Sequence, residues 1–438
     1  MTMKRALIIL LMPMLLFSAI MQPTQHVNAA TNLTPNVGAA ILIDAETGKI
    51  LYEQNADEIV GIASITKLLA EYILLDEIAA GKLKWEDTYN MTPNTYLLSQ
   101  NRLLSNVPLR EDGTYELWEL YEAMAIYSAN AATVAIAERV AGSEKAFLEL
   151  MNKKIESLGV KDYQFVNVTG LNNEYLNGNH PAGNEKDENM MSAKSVAILT
   201  YHLLKSHPEV LETASVLEKT FREGTSDAIL MRNWNLMLPG SIYAYEGVDG
   251  LKTGTTDFAG HSFVGTAERN GRRVIAVVLN AKEEDGSVED QTRFVPTKNL
   301  FDFAFNQTAQ KEILKAGATI EGSEFMPVVN GKQEQVKIAT AEGISLVTTE
   351  DAVYEPVVTL NAERLDATVK EGTVVGHVVM QRVNGEEYGY LEDKPLKVDL
   401  VTTESVERLG WAALFLAGVG SFYSEIWAGF KEFATKLF

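Results

Sequence analysis

Residues 61–75 read GIASITKLLAEYILL, an apolar stretch that carries Ser64 and Lys67 three residues apart. At this spacing on a helix the two side chains share one face and can touch. A lysine in apolar surroundings is costly unless it is paired or loses its proton. Either Lys67 reaches the surface along the helix, or its amine is kept beside the serine hydroxyl for chemistry.

The composition excludes several classes of function. The chain has 438 residues, a formal charge of −21, no cysteine and six histidines. The length favours two domains over one. The acidic charge argues against nucleic acid as a partner, and the absence of cysteine excludes disulfides and a thiolate nucleophile. Because the histidines are scattered without close pairing, we predict neither a metal nor another cofactor.

The N-terminus indicates export. Residues 1–30 read MTMKRALIILLMPMLLFSAIMQPTQHVNAA, a basic pair followed by an apolar run and then small residues. This is the pattern of a secretory signal peptide. We predict a signal peptide over 1–29 and a mature chain that starts at Ala30. The alternative is a permanent anchor helix, for which the run, interrupted by Pro13, is short.

The C-terminus indicates a membrane surface. Residues 405–438 are rich in Trp, Phe and Leu, and the uncharged stretch from Leu409 to Tyr423 is shorter than the roughly 20 residues of a spanning helix. We predict an amphipathic helix over 404–438 that lies in the headgroup zone. The alternatives are docking on a partner or on the chain's own domain.

Between these ends the pattern changes near residue 310. Up to there strands and helices alternate, and beyond residue 311 short Val, Ile and Thr runs alternate with turn signals, as in a small all-β domain. The predicted domains are a catalytic domain over 30–310 and a β-rich domain over 311–403. The predicted elements of the first domain are a hairpin over 39–55, a helix from Ser64 that ends at Gly81, two helices within 114–142, a hairpin over 261–281 that turns at Asn270 and Gly271, and a helix over 297–307.

Two further motifs accompany the serine and the lysine. Residues 128–130 read SAN and residues 252–254 read KTG, in that order after SITK and at separations of 64 and 124 residues. S-x-x-K, S-D-N and K-T-G together are the signature of active-site serine enzymes that react with penicillin. One S-x-x-K alone is a weak signal, but three elements in order on an exported chain are a strong one.

The residue types suit acyl transfer. Ser64 at the start of a helix is a candidate nucleophile, and its backbone N–H together with that of Thr255 is a candidate oxyanion hole. Lys67 is the candidate base, provided that burial and a second cation such as Lys252 lower its pKa. Ser128 is a candidate proton relay to the leaving amine, and Asn130 is a candidate to hold Lys67 or the substrate amide. The ordinary interpretation of SAN alone is a loop or helix cap.

Lys252, Thr253 and Thr255 offer one charge and two hydroxyls to a substrate carboxylate. We predict that Gly254 lets the substrate backbone approach closely. Arg293 is a second candidate for the carboxylate, since a guanidinium binds carboxylates through two parallel hydrogen bonds. Its alternative is a solvated arginine before a helix.

On these motifs the chain resembles the D-alanyl-D-alanine carboxypeptidases, the low-molecular-mass penicillin-binding proteins of bacterial envelopes. The segment FVNVTGL (165–171) adds to the likeness. The resemblance implies an α+β fold: a domain like those of penicillin-binding proteins and β-lactamases, with an antiparallel sheet flanked by helices, plus a small all-β domain and a C-terminal amphipathic helix. It also implies removal of the terminal D-alanine from peptidoglycan stem pentapeptides through an acyl-serine, and acylation by β-lactam antibiotics. By the same likeness Ser64 is the nucleophile, Lys67 the proton acceptor, Ser128 the proton shuttle and Lys252 the carboxylate binder.

The sequence does not distinguish a transpeptidase or an endopeptidase, which shares the acylation chemistry and differs in the acceptor. Two further alternatives stay open at this point. A class A β-lactamase shares the three motifs but carries S-D-N and E-x-x-L-N, whereas this chain has SAN and, at 173–177, NEYLN, which is one residue short. A non-catalytic antibiotic sensor would use the same fold as a receptor. A site that had decayed to a sensor would be expected to lose some of its hydroxyls or amines, and here all are present.

Overall fold

The computed structural model describes residues 33–34, 36–176, 178–283, 289–392 and 397–416, together with residues 427 and 431. The predicted signal peptide over 1–29 lies outside the described residues, as does most of the predicted C-terminal helix. Within that tail, residues 411–416 are helical. Among the residues described, we find no helix with both the length and the apolar character needed to cross a membrane.

The first domain is built around a sheet whose two faces are both apolar. Residues 39–43 read AAILI, and alternate side chains of this strand enter two different cores: Ile41 and Ile43 enter one, Ala40 and Leu42 the other. Such a run without polar alternation is expected when helices cover both faces of a sheet. The strands of this domain are β1 (Val37–Asp44), β2 (Ile50–Gln54), β3 (Ile59–Gly61), β4 (Thr88–Asn90), β5 (Thr114–Glu116), β6 (Tyr163–Gln164), β7 (Met190–Ser192), β8 (Glu218–Phe221), β9 (Ile229–Arg232), β10 (Val248–Thr256), β11 (Gly260–Arg269) and β12 (Arg272–Ala281).

The main sheet is antiparallel throughout, with the order β10-β11-β12-β1-β2. Both predicted hairpins are present: β1 and β2 are joined at residues 45–49, and β11 and β12 turn at Asn270 and Gly271, which both have positive φ. The order leaves β10, the strand that contains the KTG motif, at one edge of the sheet. An edge strand has one row of backbone N–H and C=O groups without a neighbouring strand.

The four predicted helices are present, and the described residues contain four more. Most of them pack with one face of the sheet around the first core, and the last one covers the other face. They are α1 (Lys67–Ala79), α2 (Pro93–Ser99), α3 (Leu117–Tyr127), α4 (Asn130–Ala141), α5 (Glu144–Ser157), α6 (Ala193–Ser206), α7 (Val210–Ala214) and α8 (Phe294–Gln307), with 3₁₀ turns at Ala63–Thr66, Asn173–Leu176 and Asp290–Arg293.

The second domain is all-β, as predicted. Its core is built from Val, Ile, Leu and Met side chains of the strands. The strands are β13 (Thr308–Leu314), β14 (Phe325–Val329), β15 (Gln335–Thr340), β16 (Ile344–Thr349), β17 (Tyr354–Leu360), β18 (Leu365–Asp366), β19 (Val374–Arg382) and β20 (Lys397–Thr402). Six of them form a sheet in the order β17-β19-β20-β15-β14-β18, and β13 pairs with β16.

A loop of the second domain rests on the first hairpin. The backbone N–H of Leu391 donates to the carbonyl of Gly48 at 2.9 Å, and that of Ile50 donates to Gly389 at 3.0 Å. Lys49 is buried and forms an ion pair with Glu387. The two domains therefore meet at β2, the edge of the main sheet opposite to β10.

Candidate active site

Ser64 lies in the 3₁₀ turn that leads directly into α1, and Lys67 is the first residue of that helix. The prediction placed Ser64 in the helix itself; instead the N–H of Ile65 donates to the carbonyl of Ile62, closing a tighter turn. Ser64 is partly exposed, whereas the Lys67 side chain is buried. The turn thus presents the hydroxyl to solvent and keeps the amine inside.

The amine nitrogen of Lys67 lies among three oxygens. It is 2.8 Å from Ser64 Oγ, 2.8 Å from Asn130 Oδ1 and 2.7 Å from the carbonyl oxygen of Thr169. Burial lowers the pKa of Lys67 well below its usual value, and the positive charge of Lys252 lowers it further. A neutral amine has two protons and one lone pair. With the amide and the carbonyl as acceptors of both protons, the lone pair faces the hydroxyl of Ser64.

The local structure around Asn130 fixes the direction of its side chain. Asn130 begins α4, and both its backbone N–H and its side-chain amide donate to the carbonyl of Ser105, at 2.9 and 3.0 Å. Because the amide nitrogen is held by Ser105, the amide oxygen points at Lys67. Asn130 is therefore placed to hold the lysine.

Ser128 and Lys252 form the second hydroxyl and amine pair. Ser128 ends α3 in the left-handed conformation, with φ of 60°. Lys252 lies in β10 and donates to Ser128 Oγ at 2.9 Å and to the carbonyl of Thr253 at 3.1 Å. Burial lowers the pKa of Lys252 to about 7; the negative charge of Glu71 opposes this shift and the positive charge of Arg293 adds to it. An ammonium has three protons to donate, so one is left for a substrate.

Arg293 lies against the same strand, in a buried position. Its guanidinium donates to the carbonyls of Gly254 and Ser262, at 3.0 and 3.1 Å, and to the hydroxyl oxygen of Thr255 at 2.8 Å. Thr255 is exposed, and since its oxygen accepts from Arg293, its own proton is left for another acceptor. Direct binding of a substrate carboxylate by Arg293 stays a prediction; these contacts show it holding Thr255.

Gly254 has a packing reason as well as the predicted functional one. A Cβ atom at this position would lie 2.7 Å from the carbonyl oxygen of Ile62 and 3.3 Å from the Cβ of Ala63. Glycine therefore lets β10 approach the turn that carries Ser64. The structure thus shows a close approach between Gly254 and the backbone of Ile62, within the protein itself.

The Thr169 carbonyl is a contact that sequence reasoning missed. The side-chain oxygen of Asn167 accepts from the N–H of Thr169 at 3.1 Å, from its hydroxyl at 2.9 Å and from the N–H of Gly170 at 2.8 Å. These bonds hold the loop so that the carbonyl reaches Lys67. A backbone carbonyl has no side-chain signature, so the segment FVNVTGL (165–171) gave no sign of this role.

Glu71 is a second residue that sequence reasoning missed. It is buried in α1, one turn after Lys67, and accepts a hydrogen bond of 2.8 Å from the hydroxyl of Tyr121. Burial raises the pKa of Glu71 to about 7, against the lowering effects of the Tyr121 bond and of the Lys252 charge. The available signal was a carboxylate in the middle of the apolar run LLAEYILL (68–75).

The three motifs thus converge on one site with two hydroxyl and amine pairs, Ser64 with Lys67 and Ser128 with Lys252. Serine and lysine at S-x-x-K spacing, beside the S-x-N serine and the K-T-G lysine, define the class of active-site serine enzymes that react with penicillin.

Comparisons with known proteins place the chain within that class. The family model for D-alanyl-D-alanine carboxypeptidase matches residues 26–283, and the model for the C-terminal domain of penicillin-binding protein 5 matches residues 309–408. The D-alanyl-D-alanine carboxypeptidase DacF of Bacillus subtilis is 28% identical over 98% of this chain and 100% of its own length.

Two solved structures are similar. The peptidoglycan synthesis regulatory factor PBP3 of Streptococcus pneumoniae has a TM-score of 0.65 at 35% identity and covers 85% of this chain and 99% of its own. Penicillin-binding protein D2 of Listeria monocytogenes, in its ampicillin-bound form, has a TM-score of 0.50 at 31% identity and covers 62% of this chain and 98% of its own.

The chain belongs to the D-alanyl-D-alanine carboxypeptidase family of low-molecular-mass penicillin-binding proteins, and it is a serine-type hydrolase with D-alanyl-D-alanine carboxypeptidase activity. This assignment confirms the predicted family and fold. It favours the carboxypeptidase over both alternatives, the class A β-lactamase and the non-catalytic sensor.

Proposed function

We propose that the chain removes the terminal D-alanine from peptidoglycan stem pentapeptides through an acyl intermediate on Ser64. The observation that carries this proposal is the position of the Lys67 amine, 2.8 Å from the Ser64 hydroxyl, with two fixed acceptors for its protons. Serine is a weak nucleophile that needs an adjacent base, and burial, which lowers the pKa of Lys67, favours the neutral amine that can act as this base.

In the acylation step, Lys67 takes the proton of Ser64 while Oγ attacks the carbonyl carbon of the penultimate D-alanine. The new Oγ–C bond produces a tetrahedral oxyanion, for which the N–H groups of Ser64 and Thr255 are the proposed donors. Ser128 passes the proton from Lys67 to the leaving nitrogen, the peptide C–N bond breaks, and free D-alanine departs.

The carboxylate of that terminal D-alanine is proposed to bind at β10. Lys252 contributes its third proton and its charge, and Thr255 contributes the hydroxyl proton that remains beside Arg293. The charges of Lys252 and Arg293 together attract an anion. Thr253 and Gly254 lie between Lys252 and Thr255 in β10. The carbonyl of Thr253 accepts a hydrogen bond from the Lys252 amine and so directs it.

Deacylation uses the same groups in the reverse direction. A water molecule gives a proton to Lys67, and the oxygen of that water attacks the ester carbon. The Oγ–C bond then breaks, and the proton returns to Ser64, so the enzyme is restored and the shortened peptide leaves with a free carboxylate. Microscopic reversibility requires that the base of the first step act as the acid here.

β-Lactam antibiotics are proposed to acylate Ser64 as mimics of the terminal dipeptide. The support is the likeness to the Listeria protein, whose structure was solved with ampicillin bound. Attack by Oγ on the lactam carbonyl breaks the ring C–N bond, and the nitrogen stays attached to the acyl group.

We further propose that the chain is exported after loss of residues 1–29 and associates with the outer face of the cytoplasmic membrane through residues 404–438. Residues 30–310 would then form the catalytic domain and 311–403 the β-rich domain. The support is the N-terminal pattern, and a tail in which helical residues 411–416 expose Trp411 and Phe415, at 84% and 68%.

The central proposal is tested by D-alanine release from a pentapeptide mimic, and by mass spectrometry of the peptide labelled by a fluorescent penicillin. The wild-type protein should release D-alanine and should carry the penicillin adduct on Ser64. Ser64→Ala should neither release D-alanine nor become labelled. Lys67→Ala should keep the melting temperature of the wild type yet be acylated about 10²–10⁴-fold more slowly. An adduct on another residue, or normal acylation of Lys67→Ala, would contradict the proposal; labelling without D-alanine release would favour the sensor.

A further inference from the structure

Glu71 is a buried carboxylate that takes no part in the proposed reaction. It lies four residues after Lys67 in α1, so the two side chains share one face of the helix. The glutamate is 5% exposed. A carboxylate at such a depth is costly unless hydrogen bonds and opposite charges compensate it.

Its hydrogen-bond partner belongs to the helix that carries the second catalytic hydroxyl. Tyr121 lies in α3, which ends immediately before Ser128, and its hydroxyl donates to Glu71 Oε1 at 2.8 Å. The bond therefore joins the helix of Lys67 to the helix of Ser128. It lies beneath the site and has no contact with the reacting atoms.

The charge of Lys252 acts on Glu71 and lowers the pKa of this carboxylate. The two oxygens that accept from Lys252 belong to a hydroxyl and a carbonyl, which are both neutral, and the charge of Arg293 opposes a second cation nearby. Of the charges that act on Lys252 among the described residues, Glu71 is the negative one. The contacts of Lys67, too, are with neutral groups.

The other charged groups near α1 have partners of their own. His207, whose charge also acts on Glu71, lies 2.9 Å from Asp76 Oδ1 and 3.0 Å from Glu209 Oε1. Lys154, from α5, lies 2.7 Å from the other oxygen of Asp76. In this cluster, at the far end of the helix, His207 has two carboxylates of its own, and Lys252 is the other cation that acts on Glu71.

We propose that Glu71 is a positioning residue for the reaction: held by Tyr121, its carboxylate is the counter-charge that keeps Lys252 cationic in the free enzyme. The inference rests on the proposed role of Lys252 in binding the substrate carboxylate. On this proposal, the charge of Glu71 sets the upper pH limit at which the enzyme captures its substrate or a β-lactam.

The direction in which the alkaline limb moves follows from the charges of Glu71 and Lys252. An ionised Glu71 raises the pKa of Lys252, which burial has lowered to about 7. Removal of the glutamate charge lowers the pKa of Lys252 further. The ammonium is then lost at a lower pH, and the alkaline limb of the acylation profile moves toward acid.

The test is the second-order rate constant for acylation by a fluorescent penicillin, measured from about pH 5 to pH 10. Glu71→Gln keeps the shape of the side chain and an oxygen for the Tyr121 hydroxyl, but removes the charge. We expect its alkaline limb to move to lower pH by about one unit or more, with about tenfold slower acylation above the limb. Glu71→Asp should restore most of the wild-type profile.

The matched control is Glu144→Gln. Glu144 is also buried, its pKa is also raised to about 7 by burial, and it accepts from the N–H of Val168 at 3.2 Å; the charge that acts on it is that of Glu138 and not that of either active-site lysine. Its substitution should leave the position of the alkaline limb unchanged.

Superimposable profiles for Glu71→Gln and wild type would overturn the inference. If Glu71→Gln does not fold, Tyr121→Phe decides: loss of the hydrogen bond raises the pKa of Glu71, so less of it is ionised and the limb should move in the same direction by a smaller amount. An unmoved limb in Tyr121→Phe then overturns it. A wild-type profile without an alkaline limb contradicts instead the proposed role of Lys252.

Discussion

The amine of Lys252 lies 2.9 Å from the hydroxyl oxygen of Ser128, although 124 residues separate the two in the chain. Ser128 takes the left-handed conformation, which costs a residue other than glycine about 1–2 kcal/mol. The end of α3 and the edge strand β10 must therefore pack well enough to hold an unfavourable backbone conformation. Strain of this kind persists where the surroundings over-determine it, as they do at active sites.

The first prediction concerns the pH dependence of substrate capture. Because the pKa of Lys252 is lowered to about 7 and its cationic form is the one proposed to bind the substrate carboxylate, kcat/KM for D-alanine release should fall as the pH rises through that value. The fall should be about tenfold per pH unit well above the limb. Lys252→Arg should have no such limb, since a guanidinium stays protonated, although its rate should be lower throughout. A wild-type kcat/KM that stays level to about two units above the limb would contradict the prediction.

The second prediction concerns Thr255. Replacement by valine keeps the shape but removes the hydroxyl that accepts from Arg293 and is proposed to donate to the substrate carboxylate. A hydrogen bond to a charged group is worth about 1.5–3 kcal/mol, so KM should rise about 10–100-fold. The melting temperature should change little, because Thr255 is exposed and Arg293 keeps the carbonyls of Gly254 and Ser262. Thr255→Ser retains the hydroxyl and should resemble wild type; equal KM values for the valine and serine variants would exclude this role.

The third prediction compares two glycines that share a φ of +79° but differ in their surroundings. A Cβ at Gly170 would lie 1.9 Å from the carbonyl oxygen of Ala63, next to Ser64, whereas one at Gly142, after α4, would meet nothing within 4 Å. Gly142→Ala should lower the free energy of unfolding by about 1 kcal/mol and leave acylation unchanged. Gly170→Ala should cost about 1–3 kcal/mol more and slow acylation, because the turn that carries Ser64 must move.

Urea denaturation and penicillin labelling of the two alanine variants check this prediction. Equal losses of stability would mean that backbone conformation alone requires glycine at position 170. Normal acylation by a destabilised Gly170→Ala would mean that the turn of Ser64 tolerates displacement.

The sequence motifs predicted that Lys67 lies beside Ser64 and Asn130, whereas the contact of Ser128 with Lys252 was seen only in the structure. Ser64 and Lys67 are near in the chain, so helical spacing alone brings them together. Ser128, Asn130 and Lys252 were placed beside them only because the three motifs occur together in a known class; nothing in their local sequence specifies the contact. The hairpins and helices followed from turn residues and apolar patterns, which are local signals.

The contacts that sequence reasoning missed are those in which a residue acts through its backbone or through burial. Thr169 contributes a carbonyl, whose direction depends on the side chain of Asn167. Glu71 is visible in the sequence as a carboxylate in an apolar run, but its partner is known only once α1 is seen to face Tyr121. For Gly254 the residue type was predicted to matter, but the contact that requires it, with the carbonyl of Ile62, depends on how β10 packs against a distant turn.

The last prediction concerns the C-terminal tail. Trp411 and Phe415 lie one turn apart in the helical segment 411–416 and expose 84% and 68% of their surface. If the tail lies in the headgroup zone, burial of each ring contributes about 1.5–3 kcal/mol, and their joint replacement by glutamate should weaken binding to vesicles of phosphatidylethanolamine and phosphatidylglycerol by more than about 100-fold. Flotation of the full chain with the vesicles measures this.

Ile242→Glu, at a site that is 77% exposed in the first domain, is the matched control and should float as wild type does. A protein that ends at Gly410, and so keeps Val406 in the core of the second domain, should stay folded, lose flotation and retain D-alanine release from small substrates. A lower melting temperature in the double variant, without a change in flotation, would instead mean that the tail docks on its own domain.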